Sequence, residues 1–437
     1  MFSDLRPYPR TTSSSIPWAP ELPAHWTVQR GKALFRRVER EPRSEDGVVT
    51  CFRDGVVTLR SHRRTTGFTE SLKEIGYQGI RKGDLVIHAM DAFAGAAGVS
   101  DSDGKGTPVY SVCVPLGSAI PHYYAAVVRE MARSSWIQAL SRGVRERSTD
   151  FRFEMFATQQ LPVPPAAEQA AIVKYLAHAN ARIDKAIASK RRLIALVDEE
   201  KQAVARDLLT SGSDEIGRIP GHWQSVITKR LCRITTGAED SGNSVLDGEY
   251  PFFVRGREIL RSSDYLFDAE AVMTPGDGQG GVGKVFHYYH GQFQAHQRVY
   301  VFLNFKGVRA RYFYWYLSTF FRSYALAQSN TVTMESLRQP VLASFPVAFP
   351  SQREQLRLVE QIEAETSRMQ NRVDVAQREI ALLGEFRARL VADVVTGQAD
   401  VRAIAASLPE IDPDSPTPDR LADGDQIVDA AMERTEV

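Results

Sequence analysis

The sequence predicts an α+β chain built as block, helix, block, helix, with the second pair repeating the first. Three observations carry that reading. The run from Ala166 to Ser211 holds no proline or glycine and keeps two heptad series, Leu176, Ile183, Val197 and Val204, then Ile187, Ile194 and Leu208, with Lys190 and Lys201 filling places in them. Such a stripe buries against another helix. A second run, shifted by 186 residues, supplies that helix within the same chain: Ile362, Met369, Leu383 and Leu390, with Val373, Ile380 and Val394 between them. Lys201 falls on Arg387, and Asp207-Leu208-Leu209-Thr210 falls on Asp393-Val394-Val395-Thr396. The third observation is a pair of openings. Pro-x-His-Trp stands at Pro23–Trp26 and again at Pro220–Trp223, and Glu-Gln begins each helix, at Glu168-Gln169 and Glu354-Gln355. From Trp to Glu is 142 residues in the first copy and 131 in the second. The helices keep one length while the blocks vary, and self-similarity at long period decides architecture.

In chain order, residues 1–160 form the first block and 161–212 the first helix with its lead-in. Residues 213–345 form the second block, 346–398 the second helix, and 399–437 an acidic tail of disordered composition. In the first block, Asp84–Ile87 and Val109–Val114 read as strands around a flexible glycine-rich loop, Gly95–Gly106. A helix follows from Pro121 to about Leu140, then a basic loop, Ser141–Thr149. The second block repeats the plan with a strand around Ala271–Met273, a glycine loop at Gly276–Gly283 and a strand Lys284–Tyr289. The apolar run His296–Leu303, a helix Ala310–Phe321 and a loop Ser329–Thr333 complete it. Ser351 lies three residues before Glu354, the spacing of a capping box at the start of the second helix.

Composition is that of a globular protein, 43% hydrophobic and 24% charged. The start of the chain has no apolar run suited to a signal peptide and no window suits a membrane span, so the cytoplasm is the expected compartment. Three dispersed cysteines, Cys51, Cys113 and Cys232, argue against a disulfide framework or a zinc site. Net charge is +1, but residues 399–437 carry −7, leaving +8 on the body. That balance is compatible with a polyanionic partner.

Gly276–Lys284 nearly spells a phosphate-binding loop, yet Val285 stands where Ser or Thr would hold magnesium, and strand-like residues follow instead of a helix. Glu199-Glu200-Lys201 has a nuclease-like spacing, but Lys201 belongs to the heptad seam. His287, His290 and His296 lack companions at ligand spacing. No catalytic, cofactor or metal site is expected. The candidate residues are instead polar and basic ones on loops: Arg60, Arg63, Arg64, Thr65, Thr66, Ser100, Lys105, Arg142, Arg145 and Arg147 in the first block. In the second they are Arg255, Arg257, Lys284, Gln297, Arg298, Asn330 and Thr331. Arginine can pair with guanine and Gln or Asn with adenine, while Lys and Thr commonly hold phosphates. Two matched sets favour DNA.

From about Leu22 to Arg402 the chain resembles the specificity (S) subunit of a Type I restriction–modification system. The Pro-x-His-Trp openings, Leu161-Pro162-Val163-Pro164-Pro165 with Glu168-Gln169, and Val394–Arg402 carry the resemblance. It implies that the blocks are target-recognition domains, each reading half of a bipartite sequence in double-stranded DNA. It further implies that the two helices pair antiparallel as a coiled-coil spacer, giving a pseudo-twofold repeat. Such a subunit is no enzyme and holds no cofactor. It recruits two modification subunits, which bind S-adenosylmethionine and methylate adenine, and two restriction subunits, which use ATP and magnesium. The second lead-in, Pro346–Pro350, is one residue longer than the first, and the acidic tail lies outside the resemblance. Two other readings, the recognition region of a single-chain restriction–modification enzyme and a coiled-coil scaffold, fit less well. The first lacks any cofactor motif, and the second would not need two large blocks rich in Arg, Tyr and Phe.

Overall fold

A computed structural model of the chain describes residues 5–63, 75–140, 150–210, 220–277, 283–328 and 336–410. Among these, two compact units separate. One joins the chain up to Lys190 with the residues from Arg378, and the other spans Arg191–Gln377. The division cuts both long helices near their middles, so each unit holds one block with part of each helix. The sequence reading set the helices apart from the blocks, as 161–212 and 346–398.

In the first unit, β1 (Thr27–Arg30) is followed by β2 (Phe35–Arg37), β3 (Leu85–His88), β4 (Ala97–Val99), β5 (Tyr110–Pro115) and β6 (Gln160–Val163). An antiparallel sheet has the order β2-β5-β3-β4, and β1 pairs separately with β6. Helix α1 (Pro121–Arg133) buries Tyr123, Tyr124, Val127, Val128 and Met131, which recur every three or four residues on one face. The helix expected to reach Leu140 stops at Ser134. Ser135 takes a left-handed φ of 60°, and a separate short helix covers Trp136–Leu140. The expected flexible loop Gly95–Gly106 is instead two short strands, β4 and Gly104–Gly106, the latter paired with Gln78–Ile80. Its glycines serve close approach: a Cβ on Gly98 would stand 2.0 Å from the Gly55 carbonyl oxygen.

The long helices are α2 (Ala166–Thr210) and, beyond the second block, a helix over Gln352–Val395. None of the fourteen apolar seam residues is exposed. Leu176, Ile183, Val197, Ile362, Val373, Leu390 and Val394 are buried, and Ile187, Ile194, Val204, Leu208, Met369, Ile380 and Leu383 are half-buried. In the first unit Asp184 pairs with Arg387 and Lys190 with Glu379, so the second helix descends as α2 rises. The segment after the second helix is folded there too. Val401 and Ala405 are buried, Arg402–Ser407 is helical, and the Asp400 N–H donates to the Arg6 carbonyl at 2.8 Å. Residues 399–407, expected from the sequence to belong to the tail, are folded here, because the apolar Val401 and Ala405 complete this core.

The second unit contains β7 (Gln224–Ile227), β8 (Arg233–Thr236), β9 (Tyr250–Phe253), β10 (Ile259–Ser262), β11 (Phe267–Pro275), β12 (His287–Ala295), β13 (Val299–Leu303) and β14 (Pro346–Phe349). Its sheet runs β8-β13-β11-β12-β9-β10, antiparallel except between β9 and β12, while β7 pairs with β14. The strand expected at Lys284–Tyr289 begins only at His287 and continues to Ala295, and His296–Arg298 turn the chain into β13. Helix α3 (Ala310–Ala327) extends the expected Ala310–Phe321, its apolar face continuing to Ala325. The second long helix is α4 (Gln352–Val395), and here its first half meets α2 through Lys201 Nζ donating to Gln370 Oε1 at 2.6 Å.

Candidate nucleic-acid interface

Each block is fixed to the start of its long helix by the same residues. In the first unit the Trp26 Nε1–H donates to Glu168 Oε1 at 2.9 Å, His25 Nε2 lies 2.8 Å from Glu168 Oε2, and the Tyr8 hydroxyl donates to the same carboxylate. Gln169 Nε2 donates to the Pro164 carbonyl, while its Oε1 accepts the Ile120 N–H at the head of α1. The second unit repeats this with Trp223 and His222 on Glu354, at 3.3 and 3.2 Å. Gln355 bridges the Pro350 carbonyl and the Arg309 N–H at the head of α3. Backbone bonds are matched as well: Gly31 N–H to Gln159 O and Thr228 N–H to Phe345 O, both at 2.9 Å. One glutamate and one glutamine thus orient two elements of a block against a helix. Ser351 Oγ accepts the Glu354 N–H at 3.4 Å, but the Glu354 carboxylate turns to the His-Trp pair, so the capping box is half made.

Eight predicted contacts, Arg64, Thr65, Thr66, Arg142, Arg145, Arg147, Asn330 and Thr331, lie outside the described residues. Two others are corrected. Arg63 is buried, its guanidinium forked onto Asp54 at 3.0 and 2.6 Å and stacked 4.4 Å from the Phe52 ring centre. Ser100 is fully buried and its hydroxyl donates to the Ser102 carbonyl. Both groups are committed inside the first unit and present nothing to a ligand. Arg60 is half-buried with Nε donating to Thr50 Oγ1, and Lys105 is half-buried within the strand Gly104–Gly106. Arg257 reaches Asp198 on α2 at 2.7 Å, and Lys284 is exposed.

Three predicted residues of the second unit come together at the β12–β13 turn. Arg298 is 61% exposed and pairs with Asp277; Arg255 Nη1 lies 3.8 Å from the other oxygen of the same carboxylate. Gln297 is exposed, with Nε2 3.5 Å from Asp240 Oδ2. Buried His296 accepts the Arg298 N–H on Nδ1 at 3.0 Å, and burial holds its pKa below the ordinary histidine value. Among the described residues no group of His, Cys, Asp or Glu could hold a metal, and no helix is long and apolar enough to cross a membrane. The three cysteines are buried and unpaired with one another; burial pushes the Cys232 thiol up to about 12.

No protein-family model matches the chain. Over 182 residues, 42% of this chain, it is 25% identical to the Type I restriction enzyme EcoDI specificity subunit of Escherichia coli. Over that stretch the chain is similar to a Type I specificity subunit. That match takes in 40% of the relative's length. Solved S subunits also align over most of their length at low superposition scores. That of M. genitalium matches at 13% identity and TM-score 0.37, covering 85% of this chain and 96% of that one. The HsdS subunit of Thermoanaerobacter tengcongensis matches at 17% and 0.36, covering 86% and 98%. A chain from a structure concerned with complex assembly and conformational transition of the type I R-M system matches at 15% and 0.48, covering 86% and 98%.

What the sequence did not disclose is the supporting cast. Asp277, Asp240 and His296 organise the β12–β13 turn, but an aspartate in a glycine-rich stretch carries no local sign of the arginine it meets. The His-Trp and Glu-Gln repeats were visible as motifs, while their contact, spanning 142 residues in the first block, was not.

Proposed function

We propose that this chain is the non-catalytic DNA-specificity subunit of a Type I restriction–modification complex. Each block reads one half of a bipartite duplex target. The two long helices, paired antiparallel as a coiled coil and related by a pseudo-twofold repeat, set the gap and dock two modification subunits. Two restriction subunits complete the assembly, and the cell compartment is the cytoplasm. S-adenosylmethionine, ATP and magnesium belong to those partners, with no cofactor held by this chain.

The observation that carries the reading is the duplicated junction. Two blocks of unequal length each lock onto a long helix through a Trp–Glu bond and a glutamine bridge. A reader of two separated half-sites needs two modules that can diverge and two attachments that cannot. A helix of 45 residues is about 68 Å long at roughly 1.5 Å per residue, near two turns of B-DNA at about 34 Å each.

The test is adenine methylation across DNA from cells with and without the gene. Loss of methylation at one split sequence, two short blocks around a fixed gap, is expected. Methylation unchanged at every split sequence, in cells that express the modification partner, overturns the proposal.

A further inference from the structure

Resting on the specificity reading above, we infer that Arg298 reads a guanine in the half-site of the second unit, and that Asp277 is its positioning residue. Among the predicted contacts in the described residues, Arg298 combines high exposure with restraint of both its backbone and its guanidinium. Its N–H donates to His296 Nδ1 at 3.0 Å, and its carbonyl accepts the Gly276 N–H at 2.7 Å. The neighbouring Gln297 N–H donates to the Glu239 carbonyl at 2.9 Å, so the turn is tied on both flanks. Gly276 is itself held by the Leu337 N–H on its carbonyl at 2.6 Å. The guanidinium is then set by Asp277, whose side chain is only 15% exposed, while Arg298 remains 61% exposed.

A free surface arginine surrenders side-chain freedom when it binds, whereas a guanidinium already held by a carboxylate has surrendered it beforehand. Asp277 engages one of five N–H donors and leaves enough for a fork onto guanine O6 and N7, the commonest base-specific arginine contact. Arg255 lies on the other oxygen of the same carboxylate, so the group keeps a net positive charge, and base reading is separated from phosphate contact by the experiment below. Arg63 shows the contrasting arrangement: a buried arginine forked onto its aspartate, with a structural role alone.

The experiment uses the full chain assembled with its modification subunits, and sequence preference read from methylation of a duplex library. With the wild-type complex methylating a split motif, Arg298→Lys keeps the charge and removes the fork. Discrimination at one guanine of one half-site should fall by about tenfold to a hundredfold, with the other half-site and the gap unchanged. Asp277→Asn should relax preference at that same base, and Asp277→Glu should restore part of it. A merely structural aspartate would slow methylation of all sequences alike and leave base preference intact; that result, or unchanged preference in Arg298→Lys with stronger salt dependence, overturns the inference. Absence of any split motif with the wild-type complex overturns the specificity reading, and this inference with it.

Discussion

At Glu168 a carboxylate only 4% exposed gathers Tyr8, His25 and Trp26, while its counterpart Glu354 is 24% exposed and holds its partners at longer distances. The same residue type in the same motif should therefore differ in weight. Glu168→Ala strands buried donors and is expected to cost on the order of 3 kcal/mol, against about 1 kcal/mol for Glu354→Ala. Denaturant unfolding of the two variants checks this, and equal losses would show that burial does not set the difference. Burial also explains where residue-level reading failed. Arg63 and Ser100 look like their surface neighbours in sequence, and only Asp54, Phe52 and the Ser102 carbonyl, brought near by folding, take them out of reach. Arg298 is the opposite case, since its chemistry was legible and its anchoring was not.

Elements were legible in proportion to how local their cause is. A heptad seam depends on residues three and four apart, so α2 and α4 could be bounded closely from sequence, and polar seam residues announced themselves as exceptions. The structure gives these exceptions partners: Arg387 meets Asp184 and Lys201 meets Gln370, two contacts at positions matched by the 186-residue shift. Short strands depend on distant partners, and β4 was mistaken for loop because Gly95 and Gly98 suggest freedom while Gly98 is fixed by the Gly55 carbonyl. Gly384 tests the same distinction inside α4. It is exposed, and a Cβ there would meet nothing within 4 Å. Gly384→Ala should stabilise the chain by roughly 0.5–1 kcal/mol, because alanine loses less backbone entropy in a helix. A rise in the denaturation midpoint is expected; a fall would mean that the helix interior needs glycine for a reason other than propensity.

For the whole molecule, the proposed spacer role of α2 and α4 makes a quantitative demand. Deleting Ile187–Leu193 together with Val373–Glu379 removes one heptad from each helix at positions matched by the repeat, and leaves the Asp184–Arg387 and Lys201–Gln370 contacts in place. The helices shorten by about 10 Å at roughly 1.5 Å per residue, the rise of some three base pairs. A heptad departs from whole helical turns by only about 20°, so the seam stays in register. Three base pairs of B-DNA, however, rotate by roughly 100° when a turn takes about 10 pairs. Length and phase therefore pull apart: the preferred gap should shorten toward three pairs, and the rate should fall because the duplex must twist or bend to meet both blocks, at a cost of a few kcal/mol. Both half-sites should keep their bases, since neither block has been touched. Methylation of a library with the two half-sites at every spacing reads gap and rate together. A variant that still prefers the original gap would mean that the helices do not set the spacing, leaving the DNA-reading assignment of the blocks intact.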